Sequence, residues 1–181
     1  MFQKIINNKI ILYFFIVLLI WIIGFVVPFF LNYKEVSGLS INSSTLKLGV
    51  INSNSSMMNI LANNFILSFS ILILGYFTLG LYTLFITFYN ALVLGLYVKL
   101  ALIMGYSTKV ISLYLLHMPL EIITFSMLGG ISFVGWDSLI YYKNYKKMNF
   151  NELLKIIPLI IICLFILFIS GLLEYYTIIG K

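Results

Sequence analysis

Five long runs of apolar residues, separated by short polar segments, dominate the pattern of this chain. A helix needs about 20 apolar residues to cross the hydrocarbon core of a bilayer. The runs predict spans over residues 10–31, 60–78, 82–104, 119–142 and 156–176. The predicted fold is an all-α, polytopic helical membrane bundle that forms one integral membrane domain over residues 1–181. A four-span alternative stays open, in which the middle hairpin does not fully cross.

Small and hydroxyl-bearing residues recur at helical spacing in the third run. Such spacing gathers side chains into one stripe, which lets a second helix approach closely in a membrane. We interpret residues 63–95 as a hairpin, with its turn over residues 75–80, around which the rest of the chain packs. A sharper interpretation is that Asn90 and the threonines line a polar cavity or contact a partner. The predicted packing residues are Gly80, Thr83, Thr87, Ala91 and Gly95.

The fourth run is preceded by a segment that is too short to span. Residues 110–116 lead into Pro119, and a proline interrupts a helix unless it stands in the first turn. We therefore predict a short interfacial or re-entrant helix before the fourth span, with a break near Pro119. Ser126 and Gly130 repeat the small-residue spacing and predict another close helix neighbour.

Composition and charge support a membrane protein. The chain is 62% hydrophobic and 9% charged, whereas soluble domains carry about a quarter charged residues. Its net charge of +6 comes from lysines at the ends of apolar runs, which set orientation and do not indicate nucleic-acid binding. Their distribution predicts a cytoplasmic amino terminus and an external carboxyl terminus. Lys143, Lys146 and Lys147 form a candidate docking surface for a partner, or serve orientation and lipid contact alone.

His117 and Glu121 are the ionisable pair that most invites a functional interpretation. Their spacing puts both side chains on one helix face if Pro119 opens that helix. Ionisable groups within a membrane are functional candidates, and a hydrogen-bonded pair that fastens the bundle is an equal alternative. Because His117 is the only histidine, the sequence predicts no metal site, no cofactor and no catalytic residues. It also lacks a phosphate-binding glycine loop, so any ATP hydrolysis requires a separate subunit.

The chain resembles the stage II sporulation protein M family. The resemblance covers about residues 59–142 and the five-span outline. It differs at Leu116 and Met118, where family members usually carry proline and glycine around the histidine, and at Ala91, where glycine is usual. The residues that carry it are Asn63-Asn64, the run from Gly80 to Thr83, Asn90 with Gly95, His117 with Glu121, and Gly129-Gly130.

This resemblance implies a non-enzymatic membrane subunit that anchors or recruits partners in a larger assembly of the bacterial cytoplasmic membrane. It favours bacteriocin or peptide secretion, maturation or immunity over sporulation. Expected partners are the lipid bilayer, other membrane or membrane-associated proteins such as an ABC-type ATPase, and a second copy of the chain. The alternative is a permease-like transport subunit that works with a separate ATPase. Membrane-embedded functional candidates are Asn63, Asn64, Thr83, Asn90, His117 and Glu121.

Overall fold

A computed structural model describes residues 2–31, 57–106, 115–145, 154 and 156–179. These residues contain helices and turns, and no strand occurs among them. Four helices are long and apolar enough to cross a membrane, which confirms the predicted all-α helical membrane bundle. The helices are α1 (Phe2–Phe30), α2 (Met57–Phe77), α3 (Leu81–Ile103), α4 (Met118–Ser132), α5 (Val134–Tyr145) and α6 (Ile157–Ile179).

The short helix α4 lies at the centre of the bundle. It packs against α1, α2, α3 and α6, and its carboxyl end meets α5. More than half of its residues are buried, including the polar side chains of Glu121, Thr124, Ser126 and Ser132. The hairpin, around which the sequence predicted that the chain packs, contacts α1 through α3 and contacts α4, α5 and α6 through α2, so it shares the centre with α4. Gly129 and Gly130 let α1 and α3 lie close to α4: a Cβ on Gly129 would meet Thr83 and Val17, and one on Gly130 would meet the backbone of α1.

The contacts of α4 establish the directions of its neighbours. Asn64 of α2 bonds to Glu121 near the start of α4, while Gly75 of α2 lies against Ser132 at its end, so these two helices run parallel. Helix α6 carries Ser170, in its second half, beside the start of α4. We call the two ends of the bundle the Glu121 end and the Ser132 end, after these residues of α4.

A tight turn joins α2 to α3 at the Ser132 end. The N–H of Gly80 donates to the carbonyl of Gly75 at 2.7 Å, and the N–H of Leu79 donates to that of Tyr76 at 3.3 Å. This pair of bonds is a Schellman motif, which satisfies carbonyls at a helix end. Leu79 and Gly80 both have positive φ, 56° and 90°. Gly75 and Tyr76, expected in the turn, lie instead in the last turns of α2.

The predicted fourth span, residues 119–142, is divided in two. Helix α4 ends at Ser132 and α5 begins at Val134, with Phe133 between them. The ring of Phe133 packs over Gly80 and stacks on Tyr13 of α1, with ring centroids 4.8 Å apart. The predicted helix over residues 110–116 falls mostly outside the described residues, and 115–117 form a turn.

Helices α1 and α3 run side by side in the same direction and approach closely. A Cβ on Gly24 would lie 2.7 Å from the carbonyl oxygen of Phe88, and one on Gly95 would meet the carbonyl of Phe25. The side chain of Lys99 donates to the carbonyls of Pro28 and Leu31 at the carboxyl end of α1. A cation there satisfies carbonyls that have no partner within the helix and complements the helix dipole.

Candidate functional site

Three ionisable side chains meet at the Glu121 end of the bundle. A ring nitrogen of His117 and a carboxylate oxygen of each of Glu121 and Glu174 all lie within 4.8 Å of one another. His117 and Glu121 are each 9% exposed, and Glu174 is half-buried. The site therefore combines two acidic groups and an imidazole in a space that is largely closed by the surrounding helices.

The local sequence around Pro119 explains how α4 begins here. His117 is the N-cap residue of α4, and proline stands in the first turn, where its missing N–H removes no helical bond. The proline therefore opens the helix and does not break it. Glu121 also lies in the first turn, where a negative charge is stabilised by the helix dipole. The i, i+4 spacing then brings Glu121 one turn above His117, as the sequence predicted for a helix opened by Pro119.

Helices α2 and α6 hold the two other sides of the site. The Asn64 side-chain amide donates to a carboxylate oxygen of Glu121 at 2.9 Å, across 57 residues of sequence. Ser170 of α6, which is fully buried, donates to the carbonyl of His117 at 3.0 Å. Glu121 thus bonds to Asn64 in this structure, and the cluster joins α2, α4 and α6.

The cluster is electrostatically incomplete within the described part of the chain. Oxygens of the two carboxylate groups lie within 4.8 Å of each other. No described lysine forms an ion pair with either group, since the ion pair among the described residues joins Lys9 to Asp137 at the Ser132 end. The Nδ1 atom of His117 is buried and has no hydrogen-bond partner among the same residues. Buried polar atoms are rarely left without a partner, because the lost hydration is costly.

The sequence analysis does not identify Glu174, which lies near the end of the predicted span over residues 156–176. The available signal was a lone acidic residue within reach of an apolar run, since such residues usually face the bundle interior. What the sequence could not show was the register of α6. That register, which is determined by packing, brings Glu174 beside α4.

A second polar group lies at the Ser132 end, away from the ionisable cluster. The hydroxyls of Thr83 and Ser132 are 2.7 Å apart, and Ser132 also donates to the carbonyl of Gly129 at 2.7 Å. Gly75 packs against both hydroxyl-bearing side chains. Thr83 therefore contributes to a separate contact, and the structure does not bring it together with His117 and Glu121.

The remaining predicted residues divide between buried and outward-facing positions. Thr87, Ala91 and Gly95 are buried with Thr83 on one side of α3. Ser126 and Gly130 are buried in α4, with Gly130 against the backbone of Ile10 and Phe14. The hydroxyls of Thr87 and Ser126 have no hydrogen-bond partner among the described residues.

Two predicted asparagines lie on the outer surface. Asn63 and Asn90 are both exposed, on α2 and near the middle of α3. The sequence grouped Asn63 with Asn64, but a one-residue step on a helix turns a side chain by about 100°. Asn64 therefore enters the site while Asn63 does not. Of the predicted docking lysines, Lys143 is exposed at the end of α5, and Lys146 and Lys147 lie outside the described residues.

The sequence profile of the family described as Stage II sporulation protein M matches residues 10–177. The chain belongs to this family. The match includes all three residues of the ionisable cluster and extends well beyond residues 59–142, which carry the resemblance in the sequence. Comparison with curated proteins and with solved structures gives no match.

Family membership and the apolar helices together identify a multi-pass membrane protein. The long helices leave large apolar side chains on the outside, such as Phe15 and Leu19 of α1 and Phe165 of α6. In water such a surface would be strongly unfavourable, whereas lipid chains solvate it. A bilayer is therefore the environment that matches the outer surface of the bundle.

Proposed function

We propose that this family member is a non-enzymatic membrane subunit that associates laterally with another membrane protein. In this proposal it anchors or recruits partners in an assembly for bacteriocin or peptide secretion, maturation or immunity. It lies in the bacterial cytoplasmic membrane with its amino terminus inside, and a separate ATPase supplies any energy. The single observation that carries the lateral association is the outward position of Asn90.

Asn90 is exposed near the middle of α3, where a membrane-crossing helix is surrounded by hydrocarbon. It has no hydrogen-bond partner among the described residues. Beside it, Tyr89 and Phe85 are 53% and 66% exposed and stack on each other with centroids 6.3 Å apart. An amide and a flat aromatic pair on one outer surface form a patch that another helix can cover. We call Phe85, Tyr89 and Asn90 the α3 patch.

The energetic reason is the cost of an amide in hydrocarbon. An unsatisfied backbone group in hydrocarbon costs several kcal/mol, and a side-chain amide without a partner should cost a similar amount. An interhelical hydrogen bond removes part of that cost and contributes about 0.6–2 kcal/mol to helix association. Because the buried side of α3 is already occupied by α1, the α3 patch faces away from the bundle. A helix of a partner subunit is the occupant that satisfies it best.

Charge supports the proposed orientation and a cytoplasmic partner. Lys9 and the exposed Lys143 lie toward the Ser132 end, since Lys9 pairs with Asp137 of α5, the helix that carries Lys143. Lys99 lies at the opposite end of α3 and is engaged by the end of α1. An excess of lysine on one side favours that side as cytoplasmic. Lys143 is thus a candidate contact for a cytoplasmic ATPase or maturation enzyme.

A permease-like subunit is the second candidate, and the buried ionisable cluster favours it. Polar groups inside a membrane bundle often mark a transport path. However, apolar core residues lie between the two polar groups: Leu128 stands between Glu121 and Ser132 on α4, and Ile71 between Asn64 and Gly75 on α2. Both are essentially fully buried. The buried hydroxyls of Ser68 and Thr124 lie in the same stretches, but each donates to a carbonyl of its own helix. For this reason the scaffold is the better-supported proposal.

The lateral association is tested by substitution within the α3 patch. Tagged parent protein, Asn90→Leu and Asn90→Gln are purified from native membranes in a mild detergent, and the co-purified membrane proteins are quantified by mass spectrometry. We expect a stoichiometric partner that is lost in Asn90→Leu and recovered in Asn90→Gln, which keeps the amide. Phe165→Leu on the outer side of α6 is the matched control and should retain the partner.

Two results would count against this proposal. Equal co-purification in Asn90→Leu and the parent would mean that the patch faces lipid. Movement of a peptide substrate into liposomes by the purified chain alone would support the permease. For the cytoplasmic contact, a variant with Lys143, Lys146 and Lys147 changed to glutamine should lose an ATPase partner while its membrane orientation, measured by cysteine labelling, is unchanged.

A further inference from the structure

We propose that His117, Glu121 and Glu174 bind a divalent transition-metal cation, and that this cation fastens α6 to the start of α4. The three side chains supply one imidazole nitrogen and carboxylate oxygens. Imidazole and carboxylate together suit zinc, iron or manganese better than they suit the harder magnesium ion. The inference concerns the Glu121 end and does not depend on the proposed lateral partner.

The geometry already approaches that of a metal site. The three candidate ligand atoms lie within 4.8 Å of one another. Ligands about 2.0–2.2 Å from a zinc ion are somewhat closer together than this. Each glutamate side chain has three torsions, and their rotation is the movement that would close this difference. Glu174 and Glu121 reach the site from different helices, so a metal would link them across the bundle.

An independent observation indicates that a ligand belongs at this point. His117 as a whole is only 9% exposed, yet its buried Nδ1 atom has no hydrogen-bond partner among the described residues. A buried nitrogen that accepts no hydrogen bond is costly, and coordination to a cation would satisfy an imidazole nitrogen of this residue. The cation would also relieve the repulsion of two carboxylates that no described lysine neutralises.

The surroundings match those of metal sites in proteins. Carboxylate ligands are usually oriented by hydrogen bonds from neighbouring groups. Here Asn64 donates to Glu121 at 2.9 Å, and Ser170 donates to the carbonyl of His117 at 3.0 Å, which fixes α6 beside the N-cap of α4. Three protein ligands leave room for water on the cation, so the site needs no further side chain.

Zinc binding is measured on the full-length chain in lipid nanodiscs, purified with a tag that contains no histidine and stripped with a chelator. We expect about one Zn²⁺ per chain by elemental analysis, saturable binding in titration calorimetry, and a higher melting temperature with Zn²⁺ than with Mg²⁺. Glu174→Gln and His117→Gln should each weaken binding more than tenfold and remove the thermal shift. Asn64→Leu, which removes an orienting bond, should weaken it about 10- to 100-fold.

Cobalt substitution identifies the ligands directly. Because the chain has one histidine, paramagnetically shifted imidazole protons in Co²⁺-loaded protein must come from His117 and should vanish in His117→Gln. Asp137→Asn is the matched control, since it removes a carboxylate at the other end of the bundle, and it should bind like the parent. Absence of saturable Zn²⁺ or Co²⁺ binding by the folded parent would overturn the proposal. Equal binding by folded Glu174→Gln would overturn it as well.

Discussion

The two ends of the bundle use polar residues in opposite ways. At the Ser132 end, Thr83 and Ser132 are neutral, are hydrogen-bonded to each other, and are enclosed by glycines. At the Glu121 end, two carboxylates and an imidazole share a site in which one ring nitrogen has no partner among the described residues. The first arrangement is complete by itself, whereas the second requires a cation, a proton or a partner group.

This difference indicates which end is structural. A satisfied hydroxyl pair in a close-packed junction holds helices together and has no further binding capacity. An unsatisfied ionisable cluster costs folding free energy, and proteins usually retain such a cost where it serves binding or function. Membrane-embedded polar residues therefore should not be treated as one class. In this chain, glycine and threonine positions define packing, and the ionisable positions define the candidate site.

The largest expected effect is at the Ser132 end. A Cβ on Gly135 would contact the carbonyl of Tyr76, which belongs to the backbone and cannot rotate away as a side chain can. Gly135→Ala should therefore destabilise the protein by about 1–3 kcal/mol, the usual cost of overpacking. The measurement is melting temperature and the monodisperse fraction by fluorescence-detected size exclusion.

Gly171→Ala is the matched control at the Glu121 end. Its Cβ would lie 2.7 Å from the Cδ2 of Leu61, the far end of a side chain that can rotate away. This variant should remain close to the parent. If the two alanine variants melted at the same temperature, the Ser132 end would not be the more closely packed of the two.

An effect of similar size concerns the bond between α2 and α4. In the presence of a chelator, Asn64→Leu should destabilise the protein by about 1–3 kcal/mol, because it leaves the buried Glu121 carboxylate without its donor, and Glu121→Leu removes the acceptor of the same bond. The double variant should cost less than the two single costs added together, because both remove the same interaction. Unfolding in mixed micelles with increasing SDS provides the free energies.

A distant pair provides the comparison for that cycle. Asn64→Leu combined with Thr83→Val joins changes at opposite ends, and their costs should add to within about 0.5 kcal/mol. If the costs of changing Asn64 and Glu121 also added up in the double variant, the hydrogen bond between them would not contribute to stability. The two ends would then be energetically more alike than their contacts suggest.

A smaller coupling is expected between Thr83 and Ser132. Interhelical hydrogen bonds of neutral groups in membranes average about 0.6 kcal/mol, because the unfolded chain in the membrane also finds partners. Thr83→Val and Ser132→Ala should show a coupling of that size in the same SDS assay. A coupling above about 2 kcal/mol would mean that the neutral junction matters more than the ionisable cluster.

The smallest effect should come from the ion pair between Lys9 and Asp137. Its side chains are 42% and 16% exposed, and exposed pairs contribute about 0–1 kcal/mol. Lys9→Met should therefore lower stability by less than about 1 kcal/mol. The difference from the parent should shrink as NaCl is raised, since salt screens exposed charges. A large loss that does not respond to salt would contradict this account.

Much of the fold follows from local sequence. The length of the apolar runs determined that the chain forms membrane helices, because hydrocarbon requires every backbone group to be bonded within its own segment. The four-residue spacing from Thr83 to Gly95 determined that one side of α3 is small enough for another helix to lie close. His117, Pro119 and Glu121 determined the start of α4 and the face on which its ionisable groups lie.

Only the tertiary structure decided which helix became the centre and which residues met. Nothing local to Glu174 distinguishes a residue at the end of a span from one that faces the cluster, since the difference lies in how α6 packs against α4. The same applies to Asn63 and Asn64, which are adjacent in sequence but point in different directions once α2 is docked. Side-chain chemistry is set residue by residue, whereas proximity depends on the direction and register of whole helices, and these are determined by packing.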